Sequence, residues 1–271
     1  MNILKNREFA YILGMINVGD GWISYNPKQY RYNIGMVSID KEMIDYFVFC
    51  CQKVFDIVPK VYLTKSNNPN WNDRYFVYLC RKVIAEYFLG LAPLDFYRDQ
   101  TCQIIPCVFD YPIDLKTSYL QAFFDSQGSV YLTNNTILGA KKQQEALIGI
   151  QQLLNSIDIK SSIKRGAITI YNKSIPKYKN LIGFQCQRKM DKLNQIPDPY
   201  YQREFTKEEV NQIINLYNKK VSWRKIAQSL NCSKGAIQYR IEKHCKHSPL
   251  PIAVHAPTTI SPPLGTASSR L

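Results

Sequence analysis

Histidine is almost missing from this chain. Its three copies, His244, His247 and His255, all lie at the C-terminal end. The preceding 243 residues therefore cannot build a histidine-metal centre or a Ser-His hydrolase. The eight cysteines include no CxxC pair, which argues against a zinc site or a disulfide framework and leaves them as small buried thiols. No apolar run approaches the roughly 18 residues of a membrane span. The first 25 residues have no uninterrupted apolar segment of the kind that directs secretion, because Asn2, Lys5, Arg7 and Glu8 break it. The expectation is an intracellular protein, cytoplasmic or organellar, that makes no membrane contact. Acidic residues are also short: 21 face 35 basic ones, a net charge of +14 over 271 residues.

That charge is unevenly spread. Residues 1–110 carry 12 basic and 11 acidic side chains, residues 111–197 carry 12 and 5, and residues 198–247 carry 10 and 5. An excess confined to the later regions suggests a polyanionic partner, most simply nucleic acid. With 45% hydrophobic and 13% aromatic residues the chain can still bury a substantial core.

The first 197 residues read as one unit written twice. A helix over about 7–20 leads into the strand-like "WISYN" and "YRYNIGMVSI", the amphipathic helix "KEMIDYFVFCCQKVF", strands around "PKVYLTK" and "RYFVYLC", and the helix "KVIAEYFLGL". The second copy has a helix over about 115–127, "SVYLTN" and "TILGA", the helix "KKQQEALIGIQQLLNSI", "IKSSIKRG" and "AITIYN", and a last helix near "PKYKNLIGFQCQRKMDKLNQI". The predicted class is α+β: two pseudo-symmetric αββαββ repeats, residues 1–110 and 111–197, acting as one monomer with an internal two-fold.

Pro197 and Pro199 mark a boundary. In the third segment, 198–247, Thr206 and Glu209 have capping-box spacing. Val210, Ile213, Ile214 and Tyr217 follow at helical spacing. "VSWRKIAQSLNCSKGAIQYRIEKH" then reads helix, tight turn, helix, with Ser222 and Ser233 as caps and Ile226, Ala227, Leu230, Ile237 and Ile241 as the apolar stripe. This is a helix-turn-helix pattern whose second helix would present Lys234, Gln238, Tyr239 and Arg240 to a major groove; a trihelical cap without DNA contact is the alternative. The tail 248–271, rich in Pro, Ser and Thr, is expected to be disordered.

Both repeats open on the same device. "YILGMINVGDGWI" and "YLQAFFDSQGSV" each drive an apolar helix into a polar residue followed by Gly, at Asp20-Gly21 and Gln127-Gly128. Small residues inside such helices are costly for helix propensity but allow two backbones to approach closely. Two helices packed this way would bring Asp20 beside Gln127 and feed two sheets outward as a curved surface able to enter a major groove.

With these motifs, and with "IGFQCQRKMDKL" near the end of the second repeat, residues 7–195 resemble the single-chain, two-repeat LAGLIDADG homing endonucleases. The resemblance implies a DNA-binding saddle, double-stranded DNA as partner, and phosphodiester hydrolysis with Mg²⁺ or another divalent ion such as Mn²⁺. Asp20 matches the family's metal-binding acid. Gln127 stands where the partner acid is expected, which implies reduced or strand-biased cutting. Lys142 matches a position near the scissile phosphate, with Asp40 as its apparent equivalent in repeat one. The DNA-contacting set would comprise Lys28 and Arg31 from repeat one, Lys160, Lys164, Arg165 and Lys173 on the second-repeat strands, and Lys234, Gln238 and Arg240 from the third segment. The alternatives are a non-catalytic DNA-binding regulator, since sporulation-type regulators resemble this combination of repeats and helix-turn-helix, or an intron maturase.

Overall fold

A computed structural model describes residues 5–70, 72–97, 102–197, 205–232 and 234–247. Its chain forms two compact units that part near residue 201. Ser233 and the tail from 248 lie outside the described residues, as does the side chain of Tyr239.

The first unit contains α1 (Arg7–Asn17), β1 (Gly21–Asn26), β2 (Arg31–Ser38), α2 (Lys41–Phe55), β3 (Lys60–Thr64), β4 (Arg74–Cys80) and α3 (Lys82–Leu91). The pattern then repeats as α4 (Ile113–Gln127), β5 (Gly128–Tyr131), β6 (Thr136–Ala140), α5 (Gln144–Ser156), β7 (Ser161–Lys164), β8 (Ala167–Tyr171), α6 (Ile175–Leu181) and α7 (Gln187–Asn194). Each repeat folds into a four-stranded antiparallel sheet, ordered β1-β2-β4-β3 and β5-β6-β8-β7. In β2 and β4 the alternate residues Ile34, Met36, Val77 and Leu79 are buried. Helices α1, α2 and α3 pack against the strands, so the core face of the sheet is apolar while the opposite face stays open, as strand alternation requires.

The α1–α4 pair is the centre of the unit. Gly14 sits where the two helices cross: a Cβ there would lie 2.5 Å from the Tyr119 carbonyl oxygen and 3.0 Å from Ala122 Cβ. Backbone contact at this crossing therefore depends on the absence of a side chain. Two hydrogen bonds run across it in opposite directions. The Tyr11 hydroxyl donates to Asp125 over 3.0 Å, and the Tyr119 hydroxyl donates to Asn17. In each helix the tyrosine precedes its polar counterpart by six residues, so the paired bonds obey the pseudo-two-fold.

Three expectations need correction. The first helix does not run to residue 20 but ends at Asn17. Val18 and Gly19 both donate to the Gly14 carbonyl, each over 3.0 Å, and this absorbs the one residue by which repeat one exceeds repeat two. The last helix of repeat two is two helices, broken by Gly183 at φ +59°. Of the four basic residues assigned to second-repeat strands, only Lys164 lies in a strand. Lys160 precedes β7, Arg165 occupies the β7–β8 turn at φ +50°, and Lys173 sits in a single 3-10 turn after β8.

The second unit contains α8 (Lys207–Asn218), α9 (Trp223–Ser229) and α10 (Lys234–His247), around Ile213, Ile226, Ala227, Leu230, Ile237 and Ile241. The Thr206–Glu209 capping box forms in both directions, whereas Ser222 occupies a cap position without a side-chain hydrogen bond. Tyr217 turns outward and packs edge-on against Trp223, with ring centroids 5.6 Å apart. Among the described residues no helix is long and apolar enough to cross a membrane.

The close approach at Gly14 has a measurable consequence. Gly14→Ala should lower stability by roughly 1–3 kcal/mol through overpacking. Gly90→Ala, in helix α3 with open space around it, should raise stability by roughly 0.5–1 kcal/mol. Urea denaturation of the two variants separates helix propensity from helix contact; equal effects would refute the crossing.

Candidate active site at the paired helix ends

Asp20 and Gln127 meet. The Gln127 amide nitrogen donates to an Asp20 carboxylate oxygen across 107 residues of sequence, and each residue immediately precedes the first strand of its sheet. Asp20 is exposed and Gln127 partly so, so the pair lies open at the junction of the two repeats.

Two clefts flank the pair. One, of about 490 Å³, is lined by Asp20, Ile39, Asp40, Arg74, Arg188 and Lys189. The other, of about 720 Å³, is lined by Asp20, Gln127, Lys141, Lys142, Gln143 and Arg165. Lys142 lines the same cleft as Gln127. Its equivalent in repeat one is not Asp40. Pairing aligns Met36 with Gly21 and Gly139 with Gly128, and the helices that follow start at Lys41 and Gln144. Counting along the chain then matches Asp40 with Gln143 and Lys142 with Ile39. The two clefts are therefore chemically unequal: one has a lysine where the other has an exposed isoleucine.

Arg188 and Lys189 lie within "IGFQCQRKMDKL", neither of them with an expected role, and α7 delivers both to the Asp20 side. Arg188 grips Asp40 with two hydrogen bonds of 2.9 and 2.8 Å. Burial acts to raise the Asp40 carboxyl, but the Arg188 hydrogen bond and charge outweigh it and hold Asp40 below its ordinary value. Lys189 is buried and donates to the carbonyls of Asp125 and Phe124 at the end of α4, where a cation also meets the negative end of the helix dipole. Burial lowers its pKa, with Asp125 acting in the opposite direction.

Asp125 lies directly beneath the exposed pair. Burial pushes its carboxyl up to about 7, against hydrogen bonds from the Gln185 backbone amide and the Tyr11 hydroxyl and the charge of Lys189. The other expected contacts are distributed around the sheets. Lys28 lies in the turn between β1 and β2, and Arg31 opens β2. Both are at the end of the sheet away from Asp20, as are Lys160 and Lys173 in repeat two. In the second unit Lys234 and Gln238 are exposed on α10 and Arg240 is half-buried.

Residues 114–193 match the family model described as a LAGLIDADG-like domain. The second repeat is thus similar to a LAGLIDADG-like domain. The fold matches mesophilic variants of the homing endonuclease I-DmoI at 16% identity, with a TM-score of 0.50 over 67% of this chain and 97% of that one. It also matches the homing endonuclease I-WcaI bound to its DNA recognition sequence at 17% identity, with a TM-score of 0.50 over 70% and 86%. At such identities the likeness concerns the fold, which is that of two-repeat LAGLIDADG homing endonucleases. An uncharacterized protein of Methanocaldococcus jannaschii is 29% identical over 132 residues, 49% of this chain and 45% of that protein; this chain thus spans less than half the length of that curated relative.

The elevated Asp125 pKa fixes a sign. A carboxyl protonated in the folded state and ionised in the unfolded one contributes stability at low pH that is lost as pH rises from about 4 to about 7. Asp125→Asn should remove that slope, which amounts to at most about 1.4 kcal/mol per pH unit. Urea midpoints across this range check it; a variant whose pH dependence parallels the parent's would contradict the assignment.

Proposed function

We propose that this chain is a site-specific, divalent-metal-dependent DNA endonuclease of the homing type, biased towards nicking. The observation that carries the reading is the Asp20–Gln127 pair at the seam of two open sheets, flanked on both sides by cation-lined clefts. Hydrolysis of a phosphodiester needs a carboxylate-held cation and positive charge around the phosphate, and the seam offers a carboxylate with cationic side chains in the clefts beside it. The I-WcaI structure, solved with its DNA recognition sequence, supports a duplex partner for the same fold.

The donor set fits one hydrated divalent ion. Among the described residues no three His, Cys, Asp or Glu side chains cluster, so an all-protein cage is absent. Mg²⁺ commonly keeps several waters and needs only one or two carboxylates; Asp20 supplies one carboxylate and the Gln127 amide oxygen a weaker neutral donor. When bound, such an ion would polarise a phosphoryl oxygen and acidify water. Lys142 and Arg165 would bind the phosphate on the Gln127 side, and Arg74 and Arg188 on the Asp20 side. Lys28, Arg31, Lys160, Lys164 and Lys173 would hold the flanking backbone, with Lys234, Gln238 and Arg240 of α10 extending the contacted site as a recognition helix.

A second reading is a DNA-binding regulator without chemistry. The Gln127 amide donating to Asp20 favours it, because a carboxylate engaged by the protein and short of one charge is a poorer metal ligand.

Plasmid cleavage separates the two. With a target obtained by selection from random duplexes, nicked circles should accumulate before linear DNA in Mg²⁺. Asp20→Asn should abolish nicking while binding stays nearly unchanged, and Gln127→Glu should speed linearisation. Intact supercoiled plasmid under tightly bound wild-type protein would select the regulator. Replacing Lys234, Gln238 and Arg240 by Ala should shorten the protected region and flatten the fall of log K with log salt, by about 0.9 for each phosphate that is no longer neutralised. An unchanged footprint would remove α10 from the interface.

A further inference from the structure

The open faces of the two sheets carry different chemistry at equivalent positions. Strand pairing sets Trp22, Gly35, Tyr78 and Lys60 in one row across the first sheet, and Val37, Phe76 and Tyr62 in the adjacent row nearer Asp20. The same registers in the second sheet give Ser129, Leu138, Thr169 and Ser162, then Ala140, Ala167 and Lys164. Four large aromatics in repeat one thus stand opposite Ser129, Thr169, Ala167 and Lys164 in repeat two.

The aromatics form a fixed surface. Tyr62 and Tyr78 stack with centroids 5.8 Å apart and ring planes 15° from parallel. Trp22 meets Phe76 edge-on at 5.9 Å. Gly35 makes this possible, since a Cβ there would lie 2.7 Å from Tyr78 Cβ and 3.0 Å from the Trp22 ring. Tyr62 and Tyr78 nonetheless remain 45% and 37% exposed. Stacked on each other and set beside the Trp22–Phe76 pair, their rings add apolar surface to a continuous aromatic wall. Farther from Asp20 the same face turns polar at Ser24 and Asn33, then cationic at Arg31.

We propose that Trp22, Tyr62, Phe76 and Tyr78 select thymine by its methyl group at the base pairs of the repeat-one half-site nearest the cleavage position. The proposal rests on the reading of this fold as a binder of duplex DNA. The thymine methyl is the one apolar feature displayed in the major groove, and apolar side chains read it by contact. At the equivalent rows repeat two carries hydroxyls, methyls and a lysine, and its exposed Tyr131 and Tyr171 lie one same-face row farther from the seam, so the preference at these base pairs belongs to one half-site only.

The test begins with selection of duplexes by the full chain. Thymines at the central positions of one half-site are then replaced by deoxyuridine, which removes only the methyl. Each replacement should weaken binding roughly fourfold, the equivalent of about 0.8 kcal/mol for one buried methyl-sized group. The same change in the other half-site should have no effect. Trp22→Ser, Phe76→Ala and Tyr78→Thr together install the repeat-two residues and should erase the deoxyuridine penalty; the exposed Tyr78→Thr alone serves if the triple variant does not fold. A selected duplex without these thymines, or a penalty that survives the substitutions, overturns the proposal and leaves DNA binding intact. Failure to select any duplex, or tighter binding to single-stranded RNA, overturns the proposal together with the DNA-binding reading.

Discussion

The contact of α1 with α4 at Gly14 and Ala122 sets everything else in the first unit. Because the backbones nearly touch, the two helices end at the same level, and whatever follows their last turns must share one small space. That is why Asp20 and Gln127 are hydrogen-bonded although 107 residues separate them. Crossed bonds from Tyr11 and Tyr119 fix the depth and rotation of the pair. They place a buried polar group directly under the exposed one, so that position, charge and protonation at the seam follow from a single packing decision.

On this symmetric frame the chemistry is asymmetric at every level. Asn17 answers Asp125 in the core, Gln127 answers Asp20 at the seam, Ile39 answers Lys142 at the cleft, and an aromatic wall answers a hydroxylated one on the sheets. The interhelical contact tolerates these differences because it depends on a small residue in each helix, Gly14 and Ala122, and on the paired tyrosines Tyr11 and Tyr119. Stability and function thus draw on separate residues of the same helices, the inner faces holding the fold while the ends and strands diverge.

Much of this could be read in the sequence because it is periodic. Alternation in the strands and recurrence of the helix-to-glycine step marked the repeats, and the matched ends located the seam. The points that escaped are those where local pattern and tertiary pairing part company. The three residues past the end of α1 look like a continuation of the helix because Val18 keeps its apolar character, whereas in the fold Val18 and Gly19 share the Gly14 carbonyl and the helix has ended at Asn17. Asp40 looks like the counterpart of Lys142 until the strand register shows the offset of one residue. Arg188 and Lys189 sit inside "IGFQCQRKMDKL" with no role assigned to either. Lys189 nevertheless lies four residues before the buried Leu193, on the same helix face, and that spacing was the available signal of its burial.

The grip of Arg188 on Asp40 ties the last helix of repeat two to the start of α2 in repeat one, across 148 residues. During synthesis from the N-terminus, the first repeat leaves the ribosome with its Asp40 lacking that partner, and no rearrangement within it can supply one. The cleft beside Asp20 is completed only when α7 emerges, near the end of the unit. A finished cleft therefore implies that both sheets are already made, since β8 ends at Tyr171 and α7 begins at Gln187.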